Sequence, residues 1–158
     1  MKNKNLNDWA ISDELFSWVR ENLDEGKTIL EFGSGTGTIE LTKHWNTYSV
    51  EQDQKWVGKA PNSNYIYAPI KDGWYDKEIV FSLIPKSYDL MIIDGPGGSD
   101  LRPGVDKYLD KLNTDIPIIL DDTHRKKDRD HAINIAKILG KEWEEIKGWQ
   151  KNFIVIKP

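Results

Sequence analysis

Apolar residues fall into two recurring patterns along this chain, one spaced for helices and one gathered in short continuous blocks. Leu15, Trp18, Val19 and Leu23 recur at helical spacing behind Ser12, Asp13 and Glu14, which places them on one face of a helix. Ser12 can accept from an otherwise free N–H of the first turn, and the two carboxylates suit the positive end of the dipole. Gly26 is placed to stop that helix. The first block, Thr28-Ile29-Leu30-Glu31-Phe32, then reads as a strand.

The same alternation continues. A helix over roughly Thr38–His44 leads to a strand at Thr47–Glu51, and Asp53 caps a short helix carrying Trp56 and Val57. Asn64–Ala68 is rich in strand formers and ends at Pro69. Ile70–Tyr75 reads as a loop, with a weak helix near Asp76–Ser82. Tyr88–Asp94 and Ile116–Leu120 are almost continuously apolar, as strands covered on both faces are. Val105, Tyr108, Leu109 and Leu112 give one more helix face, and Ala132, Ile135, Ala136 and Leu139 give another, stopped by Gly140. Trp143–Gly148 and Asn152–Ile156 are strands too close together for a helical crossover, so they form an antiparallel hairpin.

Five strands alternating with helices and closed by a hairpin predict an α/β fold. The sheet is open and mostly parallel, with a C-terminal antiparallel hairpin and helices on both faces. No linker interrupts the pattern, so residues 1–158 are expected to be one domain, with a segment and helix over 1–26 and a core over 27–158. Ligands of such sheets bind at the carboxyl ends of the strands. Glu31, Glu51, Asp94 and Asp121 all fall at or near such ends.

Composition narrows the partners. The chain has 38% hydrophobic and 30% charged residues and a formal net charge of -4, which disfavours a non-specific grip on nucleic acid. It contains no cysteine, which excludes disulfides and thiolate metal sites. No apolar run is long enough to span a membrane, and Met1–Asn5 lacks the apolar core of a signal peptide. A soluble, cytoplasmic protein is expected. Seven Trp residues suit core filling or stacking on a flat ligand. Trp9 and Ile11 stand where a lid over a ligand would sit.

The first strand runs into Gly33-Ser34-Gly35-Thr36-Gly37-Thr38, with helix-compatible Ile39, Glu40 and Leu41 behind it. Alternate glycines let the backbone turn tightly and approach a ligand closely. Such a turn at the head of a helix suits a nucleotide-like molecule. Glu51, 20 residues beyond Glu31, supplies the partner carboxylate.

With these residues the chain resembles the class I S-adenosylmethionine-dependent methyltransferases, which share a Rossmann-like fold. Glu31-Phe32-Gly33-Ser34-Gly35-Thr36-Gly37 is similar to their first motif, and Glu51 to their acidic ribose ligand. The spacing is G-x-G-x-G, and the position of a dinucleotide fingerprint's third glycine is Thr38. The resemblance implies that Gly33, Ser34, Gly35, Thr36 and Gly37 cradle the methionine part of the cofactor. Glu31 would support the turn or the cofactor's amino group, Glu51 would accept both ribose hydroxyls, and Gln52 would help. Pro69, Ile70 and Trp74 would flank the adenine, with a core role for Trp74 equally open.

A narrower resemblance, to metal-dependent O-methyltransferases of the catechol and macrolide-sugar kind, rests on Asp94 after the fourth strand and Asp121-Asp122 after the fifth. It implies that these three hold Mg²⁺, which would bind and acidify a substrate hydroxyl. The other reading has Asp94 orienting cofactor or substrate while Asp121 and Asp122 cap the following segment. His124, two residues past Asp122, points the same way on an extended backbone and is a candidate general base. The lysine that catechol enzymes carry three residues after their first metal Asp is replaced by Gly97. His44 and His131 read as structural, and Arg125-Lys126-Lys127 with Arg129 as a solvated helix start that would favour an anionic substrate if it faced the site.

The expectation is therefore methyl transfer from S-adenosylmethionine to a hydroxyl of a small molecule or glycan, with Asp94 and His124 as catalytic candidates. A homo-oligomer, or a partner subunit that completes the pocket, stays open. Two rivals stand beside this reading. One is an N-methyltransferase acting on an amine or nucleobase, for which Asp94-Gly95-Pro96-Gly97 lacks the usual aromatic. The other is a non-catalytic cofactor-binding subunit.

Overall fold

The structure, a computed structural model, describes residues 11–158. Ser12 caps α1 (Asp13–Asn22) by accepting from the Leu15 N–H at 3.2 Å. The helix ends at Asn22, before Gly26. That glycine, at φ +81°, instead turns the chain into β1 (Thr28–Phe32), and its N–H donates to the His44 carbonyl. The short helix α2 (Thr36–Leu41) follows, then β2 (Asn46–Glu51) and β3 (Asn64–Tyr67). Between β2 and β3, Asp53 closes a turn onto the Lys55 and Trp56 N–H groups but starts no helix, so the chain passes Trp56 as successive turns.

The expected loop at 70–75 is a miniature hairpin of β4 (Ile70–Lys71) and β5 (Trp74–Tyr75). Asp72 at φ 55° and Gly73 at φ 82° are the left-handed pair that a tight two-residue hairpin turn requires. Asp76 caps α3 (Lys77–Leu83), and β6 (Leu90–Ile93) follows. The next helical stretch, Arg102–Lys111, is wound as a 3₁₀ helix, and β7 (Ile118–Leu120) comes after it. Then come α4 (Lys126–Leu139), stopped by Gly140 in the left-handed conformation, and the hairpin β8 (Trp143–Lys147) and β9 (Asn152–Ile156).

Seven strands form one sheet in the order β3-β2-β1-β6-β7-β9-β8. β1, β2, β3, β6 and β7 pair in parallel, and β9 is antiparallel to both of its neighbours, β7 and β8. Both faces are covered. Leu30, Phe32, Met91 and Ile93 pack with Val80 of α3, Leu109 of the 3₁₀ segment and Ile135 of α4. Ile29, Leu90, Ile92 and Phe153 pack with Leu15 and Val19 of α1 and Leu41 of α2. This double cover is why the central strands carry near-continuous apolar runs. No described helix is long and apolar enough to cross a membrane.

Strand direction then decides where the polar groups meet. The parallel strands deliver Gly33, Glu51, Asp94 and Asp121 to one edge. Because β9 runs the other way, it begins at that same edge, where the Thr123 N–H donates to the Asn152 carbonyl at 2.9 Å.

Candidate active site

The turn after β1 is fixed from below and from the side. Gly33 has φ +89°, and a Cβ there would lie 2.8 Å from the Asp94 carbonyl oxygen. A Cβ on Gly95 would lie 2.5 Å from the Tyr75 hydroxyl and 2.9 Å from Gly33 Cα. The exits of β1 and β6 thus touch backbone to backbone, and side chains at either position would part them. Gly37 makes a different contact: its bare Cα faces Ile11, whose Cγ1 would be 2.5 Å from an added Cβ. Trp9 lies outside the described residues.

Glu31 sits beneath the turn rather than in the cleft. Its Oε1 accepts from Thr38 Oγ1 and Ser49 Oγ, both at 2.6 Å, and Thr38 Oγ1 in turn accepts from the Gly35 N–H at 3.1 Å. Burial raises its pKa to about 7, and the two hydroxyl hydrogen bonds only partly oppose that. Glu31 therefore ties β1, β2 and the start of α2 together.

Glu51 reaches the surface of the cleft at the end of β2. Its Oε1 accepts from the Ser34 N–H at 3.2 Å and Ser34 Oγ at 2.8 Å, and its Oε2 from the Asp53 N–H at 3.0 Å. With its amide turned to satisfy both ends, Gln52 donates to Glu51 Oε2 at 3.0 Å and accepts from the Gly97 N–H at 3.3 Å. Gln52 so links the β2 exit to the glycine-rich loop after β6.

Across the cleft lie Asp94 and Asp122 with Asp121 behind them, one carboxylate oxygen from each within 4.8 Å of the others. Arg102, at the head of the 3₁₀ segment and 5% exposed, enters this group. Its Nη2 donates to Asp94 Oδ1 at 3.0 Å, to Asp122 Oδ2 at 2.8 Å and to the Asp94 carbonyl at 3.1 Å. Its Nη1 donates to the Asp121 carbonyl at 3.2 Å and lies 3.4 Å from Asp128 Oδ1. Arg125 bridges Asp122 and Asp128 at 2.7 and 2.8 Å, and Lys151 lies 3.5 Å from Asp122 Oδ1.

The three acids differ in proton affinity. Burial and the neighbouring Asp121 push Asp94 well above the usual carboxylate range, against the pull of Arg102. Burial, then Asp122, raises Asp121 to about 6. Burial works against Asp122 as well, but the Arg102 hydrogen bond and the charges of Lys151, Arg102 and Arg125 outweigh it and hold it at about 2.

Three oxygen donors at this spacing suit a hard divalent cation in kind and number. Of these oxygens, the guanidinium of Arg102 already holds Asp94 Oδ1 and Asp122 Oδ2, while Asp121 Oδ2 is buried without a hydrogen-bond partner.

These groups line a cleft of about 350 Å³, in the range of small-molecule sites. Gly33, Ser34, Glu51, Gln52 and Trp56 form one half; Asp94, Arg102, Asp122, Arg125 and Lys151 form the other. Of the expected residues, Gly35, Thr36 and Gly37 shape the turn into α2 without lining the cleft, and Asp121 lies buried behind Asp122. Pro69 and Ile70 lie away from it, the Pro69 carbonyl accepting from the Asp76 N–H and Ile70 exposed at the start of β4. Trp74 is a core residue, packed on Phe32 and Tyr108 at ring distances of 5.4 and 4.9 Å.

His124 does not line the cleft either. The expected extended path fails because Asp122 has φ 62° and the Arg125 N–H turns back to the Asp122 carbonyl at 3.0 Å. The His124 ring instead faces the Asn152 N–H, with Nδ1 at 3.5 Å. Trp56, Arg102 and Lys151 carry no local sequence signal for a site and enter through tertiary placement. Arg125 belongs to a basic run, and the run's direction cannot be read from its composition.

Neither protein-family profiles nor curated protein sequences match the chain. Solved structures do. A methyltransferase from Pyrococcus furiosus superposes with a TM-score of 0.61 at 18% identity, over 91% of this chain and 81% of that one. An rRNA methylase from Streptococcus thermophilus gives 0.59 at 12% identity, over 91% and 93%. Magnesium protoporphyrin IX methyltransferase from Synechocystis PCC 6803, solved with S-adenosylmethionine bound, gives 0.56 at 17% identity, over 92% and 77%. With its strand order and the reversed β9, the chain has the Rossmann-like fold of class I methyltransferases.

Proposed function

We propose that this protein transfers the methyl group of S-adenosylmethionine to a hydroxyl of a small molecule or glycan. The observation that carries the reading is the two-sided cleft, in which Glu51 and the Gly33–Ser34 turn face Asp94 across a small-molecule-sized space. The neighbours' fold supports methyl transfer as the reaction, without bearing on the acceptor. Glu51 fits a ribose by its chemistry: two carboxylate oxygens at the cleft wall, whose side-chain partners Ser34 Oγ and Gln52 can give way to hydroxyl donors. Trp56, on the same half, offers a flat face for a purine.

S-adenosylmethionine supplies an electrophilic methyl on a positively charged sulfur. Catalysis by this chain is then chiefly positioning, the acceptor oxygen being held against that methyl with water excluded. Asp94 would take the hydroxyl proton as the C–O bond forms and the methyl–sulfur bond breaks, its electron pair staying on sulfur to leave S-adenosylhomocysteine. Burial and the neighbouring Asp121 raise the affinity of Asp94 for that proton.

Calorimetry with S-adenosylmethionine is the first test. Glu51→Ala should weaken binding at least about tenfold, since it removes hydrogen bonds to a charged acceptor. Incubation with a panel of hydroxylated and aminated acceptors, followed by release of S-adenosylhomocysteine, is the second. No cofactor binding by the wild type sinks the proposal, transfer only to amines redirects it to the N-methyl rival, and binding with no turnover on any acceptor leaves a non-catalytic subunit.

A further inference from the structure

The carboxylates that a metal-dependent methyltransferase would give to its ion are held here by a side chain. We infer that Arg102 is the resident cation of the acceptor half of the cleft, replacing a divalent metal, and that it positions Asp94 as the base. This rests on the methyl-transfer reading for the role of Asp94, but the exclusion of metal stands on the geometry alone.

The guanidinium meets four aspartates through Nη1 and Nη2, three by side chain and Asp121 through its carbonyl. A single point charge could not make these contacts together; a planar fork can. Nor is Arg102 draped over the site from solvent. It is 5% exposed, and two residues on, Gly104 fits against Trp74 so closely that a Cβ would lie 2.8 Å from Trp74 Cβ. Val105 and Leu109 anchor the same segment in the core. Moving Arg102 out of the cluster would mean lifting that segment off the sheet or leaving a charge buried without partners, both strongly unfavourable.

Charge balance points the same way. Arg102, Arg125 and Lys151 already pair with Asp94, Asp122 and Asp128. A divalent ion entering this group would have to expel a cation or sit among three of them. The distinction also matters for chemistry. A metal bound to Asp94 would draw off the lone pairs that make it basic, whereas Arg102 engages Asp94 through Oδ1 and leaves Oδ2 to take the acceptor's proton.

The test is Mn²⁺ binding, read by electron paramagnetic resonance and by thermal shift, on wild type, Arg102→Met and Arg102→Lys without cofactor. Wild type should show no saturable site in the submillimolar range, and EDTA should not change its turnover. Arg102→Met should gain one such site, weakened at least tenfold by adding Asp122→Asn. Arg102→Lys should still exclude Mn²⁺, since it keeps the charge, yet lose turnover at unchanged affinity for S-adenosylmethionine, since it loses the fork.

A saturable wild-type Mn²⁺ site that weakens in Asp94→Asn or Asp122→Asn overturns the inference. So does a folded Arg102→Met that gains no site. The wild-type titration depends on no variant folding. Cofactor titration of the same samples separates a failure here from a failure of the methyltransferase assignment.

Discussion

A carboxyl group enclosed between a strand and a helix must either be fully compensated or keep its proton. Glu31 is in this position, with two hydroxyl donors on Oε1 and a pKa of about 7 against an ordinary 4.5. Between those two values the unfolded chain releases a proton that the folded chain retains, so stability falls as pH rises through that window. Glu31→Gln keeps the acceptor for Thr38 and Ser49 and removes the titration. Melting temperatures of the two proteins should diverge from pH 4.5 to about 7, the wild type losing ground, and parallel curves would show that Glu31 is not buried as described. Asp122 works in the opposite window: held at about 2, it contributes stability above 3.8 that disappears as pH falls through 2. Glu31 and Glu51 look alike in the sequence, each an acid near the end of a β-rich block. The motif marked both correctly as belonging to the turn's neighbourhood, but only three-dimensional placement separates a buried brace from a carboxylate on the cleft wall. Arg102 was illegible for a related reason: its partners lie up to 26 residues away, and no local pattern announces a buried arginine.

At the scale of elements, the crossing of β1 and β6 is the most demanding joint. Gly33→Ala puts an L-residue at φ +89° and a methyl 2.8 Å from the Asp94 carbonyl, which has nowhere to go because Arg102 holds it. A loss of roughly 2–4 kcal/mol is expected by chemical denaturation, together with weakened cofactor binding. Gly58→Ala, at φ +84° but with no atom within 4 Å of the added carbon, should cost only the backbone share of about 1 kcal/mol. Equal losses at the two sites would show that the joint is not tight. Elements with long apolar runs or clear caps were readable, including α1, α4, β6 and the β8–β9 hairpin. The β4–β5 hairpin was hidden because its strands are two residues long, although Asp72-Gly73 is a strong turn signal. The Arg102–Lys111 segment misled on winding: apolar positions 105, 108, 109 and 112 fit three residues per turn as well as they fit 3.6.

At the scale of the molecule, the sheet is a seven-stranded partition with apolar packing on each side, and β9 is an interior strand of it. Phe153 is fully buried on the α1 side, whereas Trp143 on the outer strand β8 is 36% exposed. Phe153→Ala should therefore cost about 3–5 kcal/mol, a large share of the roughly 5–15 kcal/mol that holds a typical domain together. Trp143→Ala should cost well under half as much, measured by the same denaturation midpoint; the reverse order would mean that β9 is not interior. The parallel order and double cover were legible because continuous apolarity is a global property. Which residues meet across the cleft was not, since that depends on strand order and on the reversal of β9.

That reversal has a consequence for how the chain reaches its native state. The β8–β9 hairpin is local and can close within about 1–10 μs, whereas β1 must find β6 across a separation of 61 residues, as in Ile29 with Leu90. Until the hairpin docks, β7 is a bare edge of Ile118, Ile119 and Leu120, the kind of edge that pairs with other chains. Refolding yield should therefore fall with protein concentration, and substitutions that loosen the hairpin should steepen that fall more than they lower the stability of what does fold.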